Sequence, residues 1–470
     1  MLAGITATSC SKILDVNPES QLDASTRFQK LEDYRFSLLG TYSLFRNDNY
    51  YGAFEGDANA FGLLSDILAD DLLSTRENLQ SQVVFSDWTY AANESQVEKA
   101  WIIGYKIINQ ANMTLEGIDR FAEKNPDEVN NIKGQALAIR GYVHFDLLRY
   151  WVNDYSRNSN EPGVPYITQS DYEQKPSRGT VKETYDKIEK DLLDALALLE
   201  NQGPTQLAYI SADAVKAMLA RLYLYSKQYD KAIDFATELI NNYPLASKTT
   251  FPQIWTDFSY DEVIWYIAFD DGQGTPGGNV YTPALNYSPY SPNEDLIAEY
   301  TADDIRPAAY YAVRPDGNDE DRFVLIKYQG KYTAQFRPDG VVNFKVFRVS
   351  EMYLIRAEAY AMSTTPDEAA ANDDLNELRR ARITGYADES YSGQDLLDAI
   401  EMERRKELIG EGHRFFDLKR KGAAARKVQR TNCSENCELD PDAPQWTFPI
   451  PQSEIDANPA IKPQNPGYGD

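Results

Sequence analysis

Residues 403–422 read ERRKELIGEGHRFFDLKRKG, and this stretch decides the fold. Leu397, Ile400, Arg404, Glu407 and Leu408 recur at helical spacing, so the stretch predicts a helix whose buried stripe contains charges. Gly410 and Gly412 supply left-handed residues that end it. Phe415, Phe416 and Leu418 then give a second short helix an apolar face for docking. Glu401 and Arg405, and likewise Asp417 and Lys421, are spaced for i,i+4 pairs. The expected product is a structural corner held by paired charges. His413 has no second histidine near it in the sequence, so it is assigned to that scaffold rather than to catalysis.

Composition sets limits on the rest. The chain has 470 residues, 26% charged and 42% hydrophobic, ordinary for a folded globular protein. It contains no run of 18 apolar residues able to span a bilayer. A net charge of −26 repels polyphosphates, so nucleic acid is excluded as a partner, and strongly anionic polymers and anionic headgroups are disfavoured. Two histidines and three cysteines leave little material for a transition-metal site. Cys433 and Cys437 are placed to close a small disulfide loop in an oxidising compartment, the alternative being two free thiols. Residues 1–9 are small and uncharged and lead to Cys10, a pattern like a lipobox without its basic region.

Taken in order, the chain predicts helices over 25–45, 63–73, 94–121, 131–151, 181–199, 211–226, 230–242, 350–362, 367–382 and 393–409. Ala220, Tyr223 and Ala232 repeat the spacing of Ala357, Tyr360 and Ala369. With Leu219 and Pro244 they fit a 34-residue tetratricopeptide unit, in which small residues let antiparallel helices approach. Gly141 and His144 are read as an earlier unit, which makes His144 a packing residue. The helical period vanishes from 244 to 347. There, ten aromatics between Trp255 and Tyr300 are mixed with Gly and Pro, a long irregular insertion of the kind that carries function. Short strands are expected within 323–332 and 341–347. The Pro-rich end should wrap the surface as an extended strap.

Three long motifs resemble the RagB/SusD family: the corner already quoted, RVSEMYLIRAEAY at 348–360, and PIPQSEIDANPAIKPQNPGY at 449–468. Weaker agreement runs through Trp101, Tyr105, Ala111, Asn112 and 140–151, so the resemblance spans nearly the whole chain. It implies a mainly α fold of tetratricopeptide-like stacked helical hairpins with a loop-rich aromatic insertion and short β-strands. The implied organisation is a lipoprotein signal remnant over 1–10 ending at an acylated Cys10, then one unit over 11–470. Its scaffold lies in 94–244 and 348–422, its ligand-binding part in 45–93 and 245–347, and its strap in 440–470. The resemblance also implies a lipid-anchored outer-membrane protein facing the cell exterior, with a TonB-dependent SusC-like transporter as partner.

The chemistry available favours binding. No GxSxG, Walker loop, HExxH or paired CxxC is present. Sugar rings lie on aromatic planes while their hydroxyls meet polar groups at the rim, a mixture supplied by 47–62, 70–93 and 272–292. Tyr50, Tyr51 and Phe54 are read as exposed. The expected platforms are Trp88, Tyr281, Tyr287 and Tyr290, and the expected hydroxyl contacts are Asp70, Arg76 and Asn93. The expected ligand is an oligosaccharide or polysaccharide, with peptide capture and glycoside cleavage as alternatives. No cofactor is expected; the oxygens of RPDGNDED at 314–321 offer Ca²⁺ a place, though without EF-hand spacing.

Overall fold

The computed structural model describes residues 28–53, 59–171, 173–202, 206–270, 275–316, 320–330, 340–431, 433 and 436–469. Cys10 and Phe54 lie outside them. The fold is mainly α. Its principal helices are α1 (Leu31–Leu44), α2 (Ser95–Leu115), α3 (Pro126–Trp151), α4 (Val181–Leu199), α5 (Ala212–Tyr225), α6 (Tyr229–Asn242), α7 (Val349–Met362), α8 (Glu368–Arg382), α9 (Gly393–Leu408) and the short α10 (Arg414–Lys419). Local chemistry sets their starts. Pro126 opens α3, Thr180 and Glu183 cap α4 reciprocally, and the side chains of Ser211 and Asp367 accept from Ala214 and Ala370 N–H.

The helices stack as antiparallel neighbours. α3 packs on α2 and α4, α5 on α6, and α7 on α6, α8 and α9. The α3–α4 approach depends on glycine: a Cβ at Gly134 would lie 2.7 Å from Leu199. Ala220, Ala232 and Ala357 are buried as the repeat requires. Ala369 is not. It is exposed at the start of α8, and Ala371 takes the buried place beside Ala357, Leu375, Leu396 and Ile400. His144 is a packing residue: it stacks on Tyr166 at 3.8 Å, and its Nε2 accepts from Ile167 N–H at 3.0 Å. Burial pushes its pKa down to about 3, so the imidazole is neutral.

Among the described residues, eight short strands pair as four antiparallel ribbons: β1 (Leu72–Ser74) with β3 (Tyr290–Pro292), β2 (Val263–Ile267) with β6 (Phe344–Arg348), β4 (Tyr311–Pro315) with β5 (Asp321–Leu325), and β7 (Val428–Gln429) with β8 (Glu438–Leu439). A disulfide joins Cys433 to Cys437 between β7 and β8. Several expected elements differ. The helix expected over 94–121 ends at Leu115, ahead of Gly117 with φ near +76°, and the one expected over 131–151 begins earlier, at Pro126. The helix expected over 63–73 ends at Leu68, because Leu72–Ser74 is taken into the ladder with β3. The strap is not wholly extended: Gln452–Ala457 forms a helical turn, with Pro451 and Pro459 lying outside it where proline costs no hydrogen bond. It still wraps the helices. Phe448 stacks on Tyr150 at 4.5 Å, and Trp151 Nε1 donates to Pro449 O at 2.8 Å. One apolar cluster runs from Tyr34 to Ile461, and no helix among the described residues is long and apolar enough to cross a membrane.

The corner forms with φ near +73° at Gly410 and +83° at Gly412. Most of its charges choose distant partners over helical neighbours, Asp417–Arg420 being a local i,i+3 contact. Glu401 meets Arg414 (3.2 Å) and Lys421 (2.6 Å), Arg405 meets Asp71 (2.6 Å), and Asp417 meets Arg404 (2.8 Å) and Arg420 (3.0 Å). The i,i+4 pairings expected from spacing are therefore replaced by tertiary ones. Glu403, Glu407 and Glu411 line one side. Glu403 holds Arg306 and Arg379, Glu407 holds Arg348, Arg382 and Arg306, and Glu411 holds Arg348 and Lys327. Burial opposes the charge on each carboxylate, yet these cations hold all three below the usual range. His413 is buried beside Arg404 within the same scaffold.

Two stability predictions follow from the corner. Glu407→Gln leaves buried guanidiniums without their shared carboxylate and should lower the unfolding free energy by about 3–5 kcal/mol in urea titrations. Asp66 is fully buried, accepts from Gly410 N–H at 2.8 Å, and is pushed up to about 8 by burial and then by Asp71. A raised carboxyl pKa contributes stability that is complete below the unfolded value near 4 and is lost as pH rises through 8. Asp66→Asn does not titrate, so it should gain roughly 2–4 kcal/mol relative to the unmodified chain between pH 5 and pH 8, measured by urea unfolding at both.

Candidate functional site

The three irregular stretches expected to carry the ligand do come together. Asn59 Nδ2 donates to Pro276 O at 2.6 Å, tying 59–62 to the insertion. β1 pairs with β3 from Leu72↔Pro292 to Ser74↔Tyr290, and Thr75 extends the pairing by donating its N–H to Pro289 O at 2.9 Å. Ser291 Oγ donates to Phe323 O at 2.7 Å, which sets the β4–β5 hairpin alongside. Irregular backbone is thus held by cross-links from other segments.

On this base stands a small hairpin. Thr282 and Tyr287 exchange backbone hydrogen bonds of 2.8 and 3.3 Å, and Asn286 turns the chain with φ near +49°. Tyr281 and Tyr287 flank the turn and are half-buried, while Leu285 at its tip is 73% exposed. Leu79, at 75%, and Val313, at 55%, are exposed on the adjoining loop and strand. The polar rim is built from ion pairs. Glu77 accepts Ser288 N–H at 2.9 Å and pairs with Arg314, whose guanidinium lies 6.0 Å from the Tyr281 ring centre. Arg76 Nε meets Asp316 at 2.7 Å and its Nη2 meets Glu320 at 2.8 Å, and Arg322 reaches Asp316 at 2.9 Å. Three guanidiniums face three carboxylates here, so the rim is close to neutral inside a strongly acidic protein. Burial pushes Glu77 up, but the bonds from Arg314 and Ser288 outweigh it and hold the carboxyl low.

Of the seven expected contact residues, the structure groups Tyr281, Tyr287 and Arg76. The others are corrected as follows. Trp88 is a core residue, only 6% exposed: its indole N–H donates to Leu68 O at 2.9 Å and Arg430 covers its ring at 4.0 Å. Tyr290 is buried and its hydroxyl donates to Ser81 O at 2.7 Å. Asp70 is buried between Arg414 (2.7 Å) and Arg405 (3.2 Å), which hold its carboxyl low against the effect of burial. Asn93 is exposed, but it lies in the turn leading into α2, where Gln452 of the strap donates to Ala92 O. Tyr50 and Tyr51, read as exposed, are buried and donate or accept at Asp146 and Tyr142. The physical reason is common to the buried ones: each carries a polar tip that a buried group satisfies, so its ring or carboxylate is worth more inside.

Residues missed from sequence include Glu77, Leu79, Leu285, Arg314 and Arg430. Arg430 donates to the carbonyls of Ile67 (2.8 Å), Ala69 (2.7 Å) and Ser86, fixing the loop that leads to the site. Only Leu285 had a local signal, a large apolar residue within the turn-forming TPALN at 282–286. The Ca²⁺ alternative at 314–321 meets a physical objection, since Asp316 is already shared by Arg76 and Arg322.

Trp88 offers a direct discrimination between core and platform. Trp88→Ala should lower stability by about 3–5 kcal/mol in chemical denaturation, as for loss of a large buried aromatic.

Comparison with known proteins agrees with this architecture. A family model described as "Starch-binding associating with outer membrane" matches residues 12–224, and one described as "SusD family" matches residues 327–468. A SusD-like protein of Formosa agariphila, P38, is 24% identical, with 90% of each chain covered. A SusD superfamily protein of Bacteroides vulgatus superposes with a TM-score of 0.79 at 26% identity, over 94% of this chain and all of that one. Another, from Bacteroides thetaiotaomicron, gives 0.81 at 30% identity, over 93% of this chain and all of that one. Similarity of this extent over nearly the whole chain places it: the chain belongs to the SusD/RagB family.

Proposed function

We propose that this chain is a non-enzymatic cell-surface receptor that captures neutral oligosaccharide on the Tyr281–Tyr287 hairpin and loads it into a TonB-dependent SusC-like transporter. The observation that carries this reading is the hairpin itself: two half-buried tyrosines and an exposed leucine standing over a rim of ion-paired, charge-balanced donors and acceptors. Such a surface gives a sugar's C–H face a flat apolar partner and its hydroxyls several polar ones. Charge balance suits an uncharged ligand. The match to a family described as starch-binding and outer-membrane-associated points the same way. Anchoring in the outer membrane through acylated Cys10, facing the exterior, completes the proposal.

Catalysis is disfavoured on chemical grounds. A glycosidase needs one carboxyl protonated at working pH to act as general acid. Glu77 and Asp70 are both held low by arginines, which removes them from that role. The receptor needs no cofactor.

The test is binding of the purified chain to affinity gels carrying different neutral polysaccharides, with immobilised peptides as the competing ligand class. Retardation on at least one glycan gel and none on peptide is expected; capture of peptide alone overturns the glycan assignment. On the retarding glycan, Tyr281→Ala and Tyr287→Ala should each cost about 1–3 kcal/mol, by analogy with stacking of bases on aromatic side chains. Unchanged affinity in both variants removes the hairpin from the site.

A further inference from the structure

Arg430 is a buried cation held by neutral groups. Its guanidinium donates to the carbonyls of Ile67 (2.8 Å), Ala69 (2.7 Å) and Ser86 and covers the Trp88 ring at 4.0 Å. It feels the charges of Asp70 and Asp87 without bonding to either, and burial pushes its pKa down to about 10. A guanidinium placed this way is kept there by the backbone that carries it. That backbone is short. The β7–β8 ribbon has the pairs Val428↔Leu439 and Gln429↔Glu438, extended by Arg430 N–H donating to Cys437 O at 2.8 Å. A two-stranded ribbon of this length does not hold itself. The core fastens its inner end, where Val428 and Leu439 are buried, and the Cys433–Cys437 disulfide closes its outer end. Both cysteines are half-buried and Asn436 and Glu438 are exposed, so a small thiol reagent can reach the bond. The cysteines are 4 apart in sequence, so the bond removes little entropy from the unfolded chain and acts locally.

We infer that the Cys433–Cys437 disulfide is a redox latch on Arg430. Closed, it locks the guanidinium onto 67–69 and 86; opened, it lets the guanidinium leave for water and loosens the segment beneath the hairpin. An external dithiol opens it by giving two electrons and two protons. The S–S bond breaks, Cys433 and Cys437 become thiols, and the dithiol closes to its own disulfide. The effect reaches the candidate surface by a short path. Ser86 ends the helical turn Val83–Ser86, Trp88 behind it donates to Leu68 O, and Ser81 ahead of it accepts from Tyr290 O–H at 2.7 Å in β3. Control of ligand binding rests on the hairpin reading; the latch itself does not.

The test is hydrogen–deuterium exchange of the full chain, oxidised and after dithiothreitol, carrying Cys10→Ser so that only this pair reacts. Native-state alkylation of Cys433 and Cys437 reports opening. Reduction should speed amide exchange in 83–88 about tenfold and leave α3 unchanged. Cys433→Ser with Cys437→Ser should do the same without reductant. Arg430→Gln should exchange as fast while oxidised, and reduction should then add nothing. The latch is overturned if the cysteines stay unalkylated in the folded chain, if 83–88 exchanges alike in both states, or if reduction speeds Arg430→Gln further. On a glycan gel that retards the oxidised chain, reduction should weaken retention about threefold. Unchanged retention overturns control of the hairpin, whereas no retention on any glycan overturns the hairpin reading instead.

Discussion

The ion pair between Glu407 and Arg348 ties the regular part of this molecule to the irregular part. Glu407 ends α9, and Arg348 stands where β6 passes into α7, 2.9 Å away. Around them Glu262, Glu403, Glu411 and Asp304 meet Arg306, Arg379, Arg382 and Lys327, so five carboxylates face five cations. Removing this many charges from water is expensive, and a well-packed apolar cluster of the same volume would be at least as stable. What apolar packing lacks is direction. Carboxylate and guanidinium accept one another only in particular geometries. The cluster therefore fixes how 304–327, which carries β4 and β5, sits against α8 and α9. Any slip of the corner leaves a charge buried and unpaired, a larger penalty than lost apolar contact.

That constraint reaches the candidate surface through a short series of contacts. Gly410 N–H meets Asp66, Arg414 meets Asp70, and Arg405 meets Asp71, so the helical corner grips the segment that becomes β1. β1 then pairs with β3, and the Tyr281–Tyr287 hairpin rises just before β3. Asp70 serves the surface by placing it. The irregular half stays shaped without long helices because its backbone is fastened to a frame that cannot shift.

The helices were legible because packing against one another imposes a period on their own sequence. α4 occupies 181–199 as read, and the corner's buried charges were visible as Arg404 and Glu407 on the apolar stripe. Partner choice was not legible. Glu401 and Arg405 sit four apart on one helix, yet each finds a better-placed charge on another segment, which no local spacing encodes. Loops carry even less information about facing. Trp88 and Tyr290 lie among polar residues like any exposed ring, and only the carbonyls of Leu68 and Ser81, brought near by folding, make their burial favourable. Leu285 has the reverse history: an apolar residue that sequence alone would bury is lifted out by the turn at Asn286.

The abundance of tyrosine belongs to this same argument. Irregular segments present carbonyls that neither helix nor sheet satisfies, and buried ones need donors. Tyrosine brings an O–H at the end of a rigid apolar ring, so it can pack within the helical frame and still reach a loop. Tyr34 donates to Glu116 O, Tyr105 to Pro165 O, Tyr150 to Ala60 O, Tyr310 to Glu407 O and Tyr328 to Gly410 O. Arg178 and Asn465 perform the same task at the strap, donating to Pro463 O and to the carbonyls of Trp151 and Phe448. A tyrosine-rich composition in a loop-rich chain therefore reports first on how much backbone must be fastened. Rings left partly at the surface are what remain after that demand is met, and Tyr281 and Tyr287, half-buried, stand out because they border the turn itself.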